Sequence, residues 1–148
     1  MRKLNLGCGK DIRRGVDDWV NVDLVGLPGV DLVVNVRHPL PFPENEFDFI
    51  LASHIIEHVT FEEKLPLIVE LWRVAKCGAT IEIMCPNWND KNAYSDPTHM
   101  SVWELEAFAC FVPGHIYNYY SQARFNIIIK EERGDRNCEL HWILQVVK

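Results

Sequence analysis

Short apolar segments rich in branched side chains recur along the first part of the chain and predict buried β-strands. They are Lys3–Leu6, Trp19–Leu24, Asp31–Val34, Phe47–Ala52 and Thr80–Cys85. Between the last two, apolar residues at positions 65, 68, 69 and 72 share one face of a predicted amphipathic helix. Strands separated by a helix in this way indicate an α/β fold with a mainly parallel sheet.

The C-terminal part of the chain predicts a different strand arrangement. Phe125–Lys130 and Leu140–Val147 are again strand-like, and Gly134 provides a turn signal between them. These two segments are expected to form an antiparallel hairpin at the end of the sheet. A length of 148 residues fits a single domain spanning residues 1–148.

The first three connections are unusually short for a parallel sheet. Lys10–Asp18, Val25–Val30 and Asn35–Glu46 contain nine, six and twelve residues. A parallel crossover normally needs about a dozen residues or more, usually including a helix. The third connection also carries three prolines, which exclude a regular helix. We therefore expect helices between the first strands to be reduced or missing, and the third strand to be short or displaced.

Local signals place the ends of the predicted helix. Thr60 and Glu63 have the spacing of a capping box, and Gly78 is a natural stop. Pro66 either kinks this helix or lies close to its start. A second helix is predicted over Ser101–Cys110, where apolar side chains again share a face.

Composition limits which partners and which cellular compartment are expected. Fifteen basic against 21 acidic residues give a net charge of −6, which argues against non-specific nucleic-acid binding. Neither a secretory signal nor an apolar run long enough to span a membrane occurs in the sequence as given, so no membrane partner is expected. Five cysteines without a C-x-x-C pair predict free thiols and a cytoplasmic location.

Two predicted strands end in residues suited to a nucleoside ligand. Gly7-Cys8-Gly9 follows the first strand, and glycine allows a sharp turn and close approach of a ligand to the backbone. Asp23 ends the second strand, where a carboxylate can accept hydrogen bonds from ribose hydroxyls. Ligands of such sheets bind beyond the carboxyl ends of the strands, so the two features predict one binding site.

Further motifs follow in order and carry a family resemblance. Pro39-Leu-Pro-Phe42, Phe47-Asp48 and Glu57-His58-Val59 come after the glycine loop, and Pro86-Asn87 ends the fifth strand. From about residue 3 to residue 100, this series resembles the class I S-adenosylmethionine-dependent methyltransferases of the small Rossmann-like type. The resemblance implies a Rossmann-like sheet, S-adenosylmethionine as cofactor, and methyl transfer to an unidentified acceptor, expected to be a small molecule.

The resemblance also implies a set of cofactor-binding residues. They are Asn5, Gly7, Cys8, Gly9, Asp23, Leu24, Asn35, Val36, Ser53 and His54. By position, the glycine loop, Ser53 and His54 correspond to the methionine end of the cofactor, Asp23 to the ribose, and Leu24 to the adenine. Asn5 and Asn35 stand where relatives usually carry acidic residues, so both contacts lack charge assistance.

Two histidines are the candidate catalytic residues. His58 lies in the Glu57-His58 motif, and His99 follows the fifth strand in Asp96-Pro-Thr-His99. An imidazole has a pKa near 6.5, which suits a general base toward an acceptor that carries a proton. Aromatic residues of the same region are candidates for an apolar acceptor pocket, namely Trp88, Tyr94, Trp103 and Tyr117–Tyr120.

Two other functions remain open from the sequence. His54-x-x-Glu57-His58 matches an inverted zinc-peptidase motif, and His99 and Asp96 are further potential ligands of a zinc-dependent hydrolase. That motif needs both histidines on one helix, whereas His54 directly follows a strand; the methyltransferase itself is expected to need no metal. The third hypothesis is a non-catalytic methyltransferase-fold binding module, which the loss of charge at Asn5 and Asn35 would permit.

The short connections also predict self-association. Missing helices leave part of one sheet face uncovered, and an exposed apolar face of that size is typical of an interaction surface. We therefore expect a homodimer.

Overall fold

The computed structural model describes residues 1–148, except for the side chain of Asn137. Its regular elements, in chain order, are β1 (Arg2–Leu6), β2 (Asp18–Asp23), β3 (Leu32–Val33), β4 (Phe47–Ser53), α1 (Lys64–Val74), β5 (Ala75–Pro86), α2 (Asn92–Ser95), β6 (Arg124–Arg133) and β7 (Glu139–Val147). Single 3₁₀ turns add Ile56–His58, Ala109–Phe111, Asn118–Tyr120 and Asp135–Asn137.

All seven strands form one sheet in the order β3-β2-β1-β4-β5-β7-β6. The pairs from β3 through β5 are parallel, whereas β7 runs antiparallel to both β5 and β6. The sheet confirms the predicted Rossmann-like α/β fold with its antiparallel C-terminal hairpin. Because β1, β2 and β4 are parallel, their carboxyl ends lie along one edge.

The connections before β4 contain no helix among the described residues, as their lengths predicted. The six-residue link is accommodated because β3 has only two residues, paired as Val22 with Leu32 and Asp23 with Val33. The chain therefore turns back over a very short distance. Gly29, with φ +95°, allows the turn, and an added Cβ there would lie 2.9 Å from Ile12.

Helix α1 begins directly after the predicted capping box. The Glu63 carboxylate accepts the backbone N–H of Thr60 at 2.9 Å, which is the return bond of that motif. Because regular helix begins at Lys64, Pro66 lies in the first turn, where a missing N–H costs no internal hydrogen bond. The prediction that the regular helix starts near Pro66 is therefore confirmed.

The predicted second helix over Ser101–Cys110 is wrong. The segment is mostly turns, with a 3₁₀ turn at Ala109–Phe111. Its backbone bonds to neighbouring segments: Ser101 donates to the Glu57 carbonyl, and the Trp103 carbonyl accepts the N–H of Trp88. Tertiary hydrogen bonds thus replace the i to i−4 bonds that a helix would need.

The core joins both halves of the sheet. Leu4, Leu6, Ile81 and Ile83 are buried on the central strands, and Trp142 of β7 is fully buried. Among the described residues, no helix is both long enough and apolar enough to cross a membrane. The five cysteines are free thiols, as expected, and Cys77 is exposed.

Candidate functional site

The glycine loop and Asp23 meet where β1 and β2 end. Gly7 and Gly9 have φ of +67° and +50°, a left-handed conformation that side chains disfavour. The Asp23 carboxylate accepts the N–H of Gly9 at 2.8 Å and that of Val25 at 2.9 Å. One carboxylate therefore fixes the loops after two strands and still has lone pairs for a ligand.

A cavity of about 410 Å³ opens over this loop. Its volume lies in the range of small-molecule and cofactor sites, about 300–1,000 Å³. Eight residues singled out from the sequence line it: Gly7, Gly9, Asp23, Leu24, Asn35, Val36, His54 and His58. The carboxyl ends of β1, β2 and β4 thus supply one continuous wall.

Four predicted site residues lie outside the lining of this cavity. Asn5 is buried, and its amide donates to the Asp11 carbonyl at 2.7 Å and to Asn21 Oδ1 at 3.1 Å. Cys8 is 4% exposed, and its backbone N–H donates to the Val22 carbonyl. Ser53 is paired within the sheet opposite Met84, and His99 lies behind His58.

Other lining residues were missed from the sequence. They are Val25, Val34, Arg37, Ile55 and Thr98. Val25 and Ile55 directly follow the predicted residues Leu24 and His54. Including one more residue after each strand end would have found both. Thr98 belongs to the motif that singled out His99, but neither it nor Arg37 carries a strand-end signal. Arg37 is held by Glu63 at 2.9 Å.

The basic residues near the glycine loop do not enter the cavity. Arg13 pairs with Asp11 at 2.6 Å, and Arg14 pairs with Asp31 at 3.2 Å. Both guanidinium groups therefore form ion pairs within the loops that follow β1 and β2. Arg37 is therefore the cation of the cavity lining among the described residues.

His54 has an unusual backbone conformation at the end of β4. Its φ of +53° is rare for a residue with a side chain, and its N–H donates to the Met84 carbonyl. The imidazole lies 3.5 Å from Glu57 and 2.9 Å from Glu139. The Glu57 carboxylate, with Glu139, raises the pKa of His54 above its usual value despite partial burial.

The potential metal ligands differ from those of the peptidase motif. Glu57, His58 and His99 bring one ligand atom each to within 4.8 Å of one another, and His54 is not in this group. His54 lies before the 3₁₀ turn Ile56–His58, so it does not share a helix with His58. The geometry of two histidines one helical turn apart, which the hydrolase hypothesis requires, is absent here.

The aromatic residues proposed for an acceptor pocket lie away from the cavity over the glycine loop. Trp103 is 3% exposed and donates its indole N–H to the Ile56 carbonyl, so it belongs to the core. Trp88, Tyr94 and Tyr119 are exposed, and none of these aromatics lines the cavity over the glycine loop.

A solved structure of a SAM-dependent methyltransferase from Archaeoglobus fulgidus superimposes with a TM-score of 0.73 and 18% identity, covering 97% of this chain and 85% of that one. The 1,6-didemethyltoxoflavin-N1-methyltransferase of Burkholderia thailandensis, solved with S-adenosylhomocysteine, superimposes with a TM-score of 0.65 and 13% identity. This match covers 99% of this chain and 71% of the other. Both comparisons support the fold.

Sequence comparison supports the assignment independently. Ajmaline N-methyltransferase of Rauvolfia serpentina is 47% identical over 45 residues, which are 30% of this chain and only 15% of that relative. A family model described as a methyltransferase domain matches residues 8–83, just over half of the chain. With the sheet order and the glycine loop, this match shows that the chain belongs to the methyltransferase-domain family of class I S-adenosylmethionine-dependent methyltransferases.

Proposed function

We propose that the chain transfers a methyl group from S-adenosylmethionine to a small-molecule acceptor that binds at the histidine-lined rim of the cavity. The observation that carries the proposal is the carboxylate of Asp23, which lines the cavity while it holds the glycine loop at 2.8 Å. A nucleoside-containing ligand requires such an acceptor beside a close backbone approach.

The residues present fit the cofactor. Added to Gly9, a Cβ would meet no atom within 4 Å, so the loop leaves open space on the cavity side. Asp23 has lone pairs left for ribose hydroxyls, and Leu24 and Val25 offer apolar contacts for the adenine. When bound, the cofactor supplies a methyl group already activated by the positive sulfonium.

The proposed contact set departs from the sequence-based one at three positions. Asn5 supports the loop from behind through Asp11, and Cys8 and Ser53 act through their backbones. Asn35 and Val36 stay as contacts for the adenine end, with Asn35 accepting the N–H of Arg37 at 3.1 Å. We assign the methionine end to Gly7, Gly9 and His54, because these line the same cavity.

Orientation is the main task left to the protein, because the methyl group is already activated. An acceptor must lie in line with the bond that breaks, and holding it there supplies much of the rate enhancement. His54, His58 and Thr98 are the polar side chains on the rim that can bind and align it.

Calorimetric titration with S-adenosylhomocysteine tests the proposal. Asp23→Ala should weaken binding by about 100-fold, because it removes the ribose acceptor and releases the amides of Gly9 and Val25. Asp18→Ala is the matched control, since Asp18 is an exposed aspartate at the opposite end of the same strand. Equal affinity of wild type and Asp23→Ala, or no binding by wild type, contradicts the proposal.

Turnover separates the two remaining alternatives. A non-catalytic binding module binds S-adenosylhomocysteine normally yet produces none from S-adenosylmethionine with panels of hydroxyl, amine and thiol acceptors. A zinc-dependent hydrolase of the His54/Glu57/His58 type instead keeps its activity in Asp23→Ala, loses it in His58→Ala, and needs no S-adenosylmethionine.

Three statements about the whole chain remain predictions: one domain over residues 1–148, a cytoplasmic location, and a homodimer. For the homodimer, Leu32 and Val33 of β3 are 41% and 59% exposed at the sheet edge. Leu24 and Val25 are exposed as well, but they face the cavity, so their exposure has another explanation. A monomer in light scattering at working concentration contradicts the homodimer.

A further inference from the structure

Glu57, His58 and His99 come together from two separate segments, and His58 is the member of the cluster that lines the cavity. Glu57 and His58 follow β4, whereas His99 follows β5 and α2. Their ligand atoms lie within 4.8 Å of one another, and the two imidazole rings meet edge to face at 4.9 Å. His58 lines the cavity over the glycine loop, so the cluster borders the proposed cofactor site.

Both imidazoles are held in the same way, through Nδ1. His58 Nδ1 lies 3.1 Å from the Thr98 carbonyl and 3.2 Å from Thr98 Oγ1, and His99 Nδ1 lies 3.1 Å from the Ala93 carbonyl. A carbonyl oxygen only accepts, so each Nδ1 carries a proton, which leaves Nε2 as the ring nitrogen available to a metal ion. Metal-binding histidines are typically fixed in this way, with the second nitrogen donating to a backbone carbonyl.

The two imidazoles lie beside a buried carboxylate. His99 Nε2 lies 3.9 Å from Glu57 Oε1 and 3.9 Å from Asp96 Oδ2, which is too long for a hydrogen bond to either carboxylate. Glu57 is 3% exposed, and its Oε2 has no hydrogen-bond partner among the described residues. His54 Nδ1, at 3.5 Å from Oε1, compensates only one of its oxygens. A buried carboxylate oxygen without a hydrogen-bond donor lowers the stability of the fold unless a cation binds it.

We propose that Glu57, His58 and His99 bind one divalent transition-metal ion, and that this ion binds the hydroxyl group of the methyl acceptor. Two imidazole nitrogens and one carboxylate oxygen favour ions such as Zn²⁺ or Co²⁺ over Mg²⁺ and Ca²⁺. Metal–ligand bonds of about 2.0–2.2 Å require the three atoms to draw closer together than they lie now. Three protein ligands leave a coordination position open for the acceptor.

This inference rests on the proposed methyl transfer and specifies its acceptor. A metal-bound hydroxyl has a lowered pKa and loses its proton to water. Its oxygen then forms the new bond to the methyl carbon while the bond from carbon to sulfur breaks, and sulfur keeps the electron pair. The products are a methyl ether and neutral S-adenosylhomocysteine. In this arrangement His58 and His99 are ligands rather than general bases.

Metal titration of the full-length chain tests the site. After treatment with EDTA, the chain is titrated with Co²⁺ while visible absorption is recorded, and with Zn²⁺ in a calorimeter. A Cys77→Ser background removes the exposed thiol as a competing ligand. One ion per chain is expected, with affinity reduced at least about 100-fold in His58→Ala and His99→Ala, because each removes a ligand. His38→Ala is the control, since His38 is exposed and outside the cluster.

His54→Gln distinguishes this ligand set from the peptidase motif. It should keep metal affinity within about tenfold of wild type, because His54 lies outside the cluster. Loss of binding in His54→Gln with normal binding in His99→Ala overturns the proposed set. So does the absence of stoichiometric Co²⁺ and Zn²⁺ binding to wild type.

Circular dichroism checks that each variant folds, and His58→Asn, a smaller change in shape, replaces His58→Ala if that variant does not. S-adenosylhomocysteine binding is measured on the same samples. Normal cofactor binding without metal binding defeats this inference alone. Stoichiometric metal binding without cofactor binding instead contradicts the proposed methyl transfer.

Discussion

The two sides of the cavity differ in how completely their polar groups are paired. On the glycine-loop side, comprising Gly7–Gly9, Asp23 and the Asn21 network behind them, the buried Asn21 amide uses all four of its hydrogen-bonding positions. On the histidine side, comprising Glu57, His58, His99 and Ser101, two buried oxygens have no hydrogen-bond partner among the described residues: Glu57 Oε2 and Ser101 Oγ.

The difference indicates that the glycine-loop side is already in its final hydrogen-bonded arrangement, whereas the histidine side has polar atoms that a ligand could pair. A fully paired buried network holds its loops rigidly, so a ligand can bind there with little rearrangement. An incompletely paired site costs stability, and such costs are typical of functional positions. We therefore expect substitutions on the glycine-loop side to lower stability, and polar deletions on the histidine side to leave it unchanged or raise it.

The largest effect is expected from Asn21→Ala. Asn21 is fully buried; it accepts the N–H of Arg13 and the amide of Asn5, and it donates to Asp31 and to the Arg13 carbonyl. Removing all four bonds should lower the free energy of unfolding by about 3 kcal/mol in urea denaturation. The exposed Asn126→Ala is the control and should change it by less than about 0.5 kcal/mol. Similar losses in both variants would break the contrast between the two sides.

The next effect separates two glycines of one loop. A Cβ on Gly7 would lie 2.6 Å from Ile55, whereas a Cβ on Gly9 meets no atom within 4 Å. Gly7→Ala combines a clash with left-handed strain and should cost about 2–3 kcal/mol, against about 1–2 kcal/mol for the strain alone in Gly9→Ala. Thermal unfolding measures both. A larger loss in Gly9→Ala than in Gly7→Ala contradicts the packing around the loop.

Acid titration gives a smaller effect on the glycine-loop side. The backbone N–H of Asn21, with its side chain and Arg14, holds the pKa of Asp31 below its ordinary value of 3.8. A lowered pKa in the folded state contributes stability that is present above pH 3.8 and lost as pH falls through the folded value. Asp31→Asn should therefore flatten the fall of Tm below pH 3.8 by about 2–4 °C at most.

The control for that titration is Glu62→Gln, at an exposed position, which should keep the wild-type profile. An unchanged acid profile in Asp31→Asn would show that Asp31 does not stabilise the loops behind the cavity.

The smallest effect is expected from Ser101→Ala on the histidine side. Its hydroxyl is buried and has no partner in the part of the chain that the structure describes, so deleting it should raise the free energy of unfolding by up to about 1 kcal/mol. Ser121→Ala is the matched control, because Ser121 Oγ accepts the N–H of Ala123 at 3.0 Å and its loss should cost about 1 kcal/mol. Urea denaturation decides; a loss in Ser101→Ala as large as that in Ser121→Ala would remove the asymmetry.

Local patterns were sufficient for the strands but not for the segment after α2. Runs of branched apolar residues predict β1, β2 and β4. Parallel strands inside a sheet are covered on both faces, and such residues suit that environment. The apolar spacing of Ser101–Cys110 suits a helix equally well by itself. There the carbonyl of Glu57 and the N–H of Trp88 provide hydrogen bonds from distant segments, which no local pattern encodes.

The site was predictable to the extent that it follows strand ends. Gly7, Gly9 and Asp23 were found because parallel strands bring their carboxyl ends to one edge. Arg37 and Thr98 come from loops whose paths depend on Glu63 and Asp96, so their position in the cavity had no sequence signal. Asn5 had the right spacing for the cofactor, but its amide is used by Asp11 and Asn21 instead.

The sequence by itself determined the order of strands and turns, the missing helices, and the residues at the ends of β1, β2 and β4. These follow from periodicity, chain length and backbone restrictions, which act over a few residues. The tertiary structure alone decided which polar groups pair. His58 and His99 donate from Nδ1 to the carbonyls of Thr98 and Ala93, and Glu57 is buried beside the two imidazoles. Tautomer and burial depend on groups brought together from distant parts of the chain, so only the folded molecule fixes them.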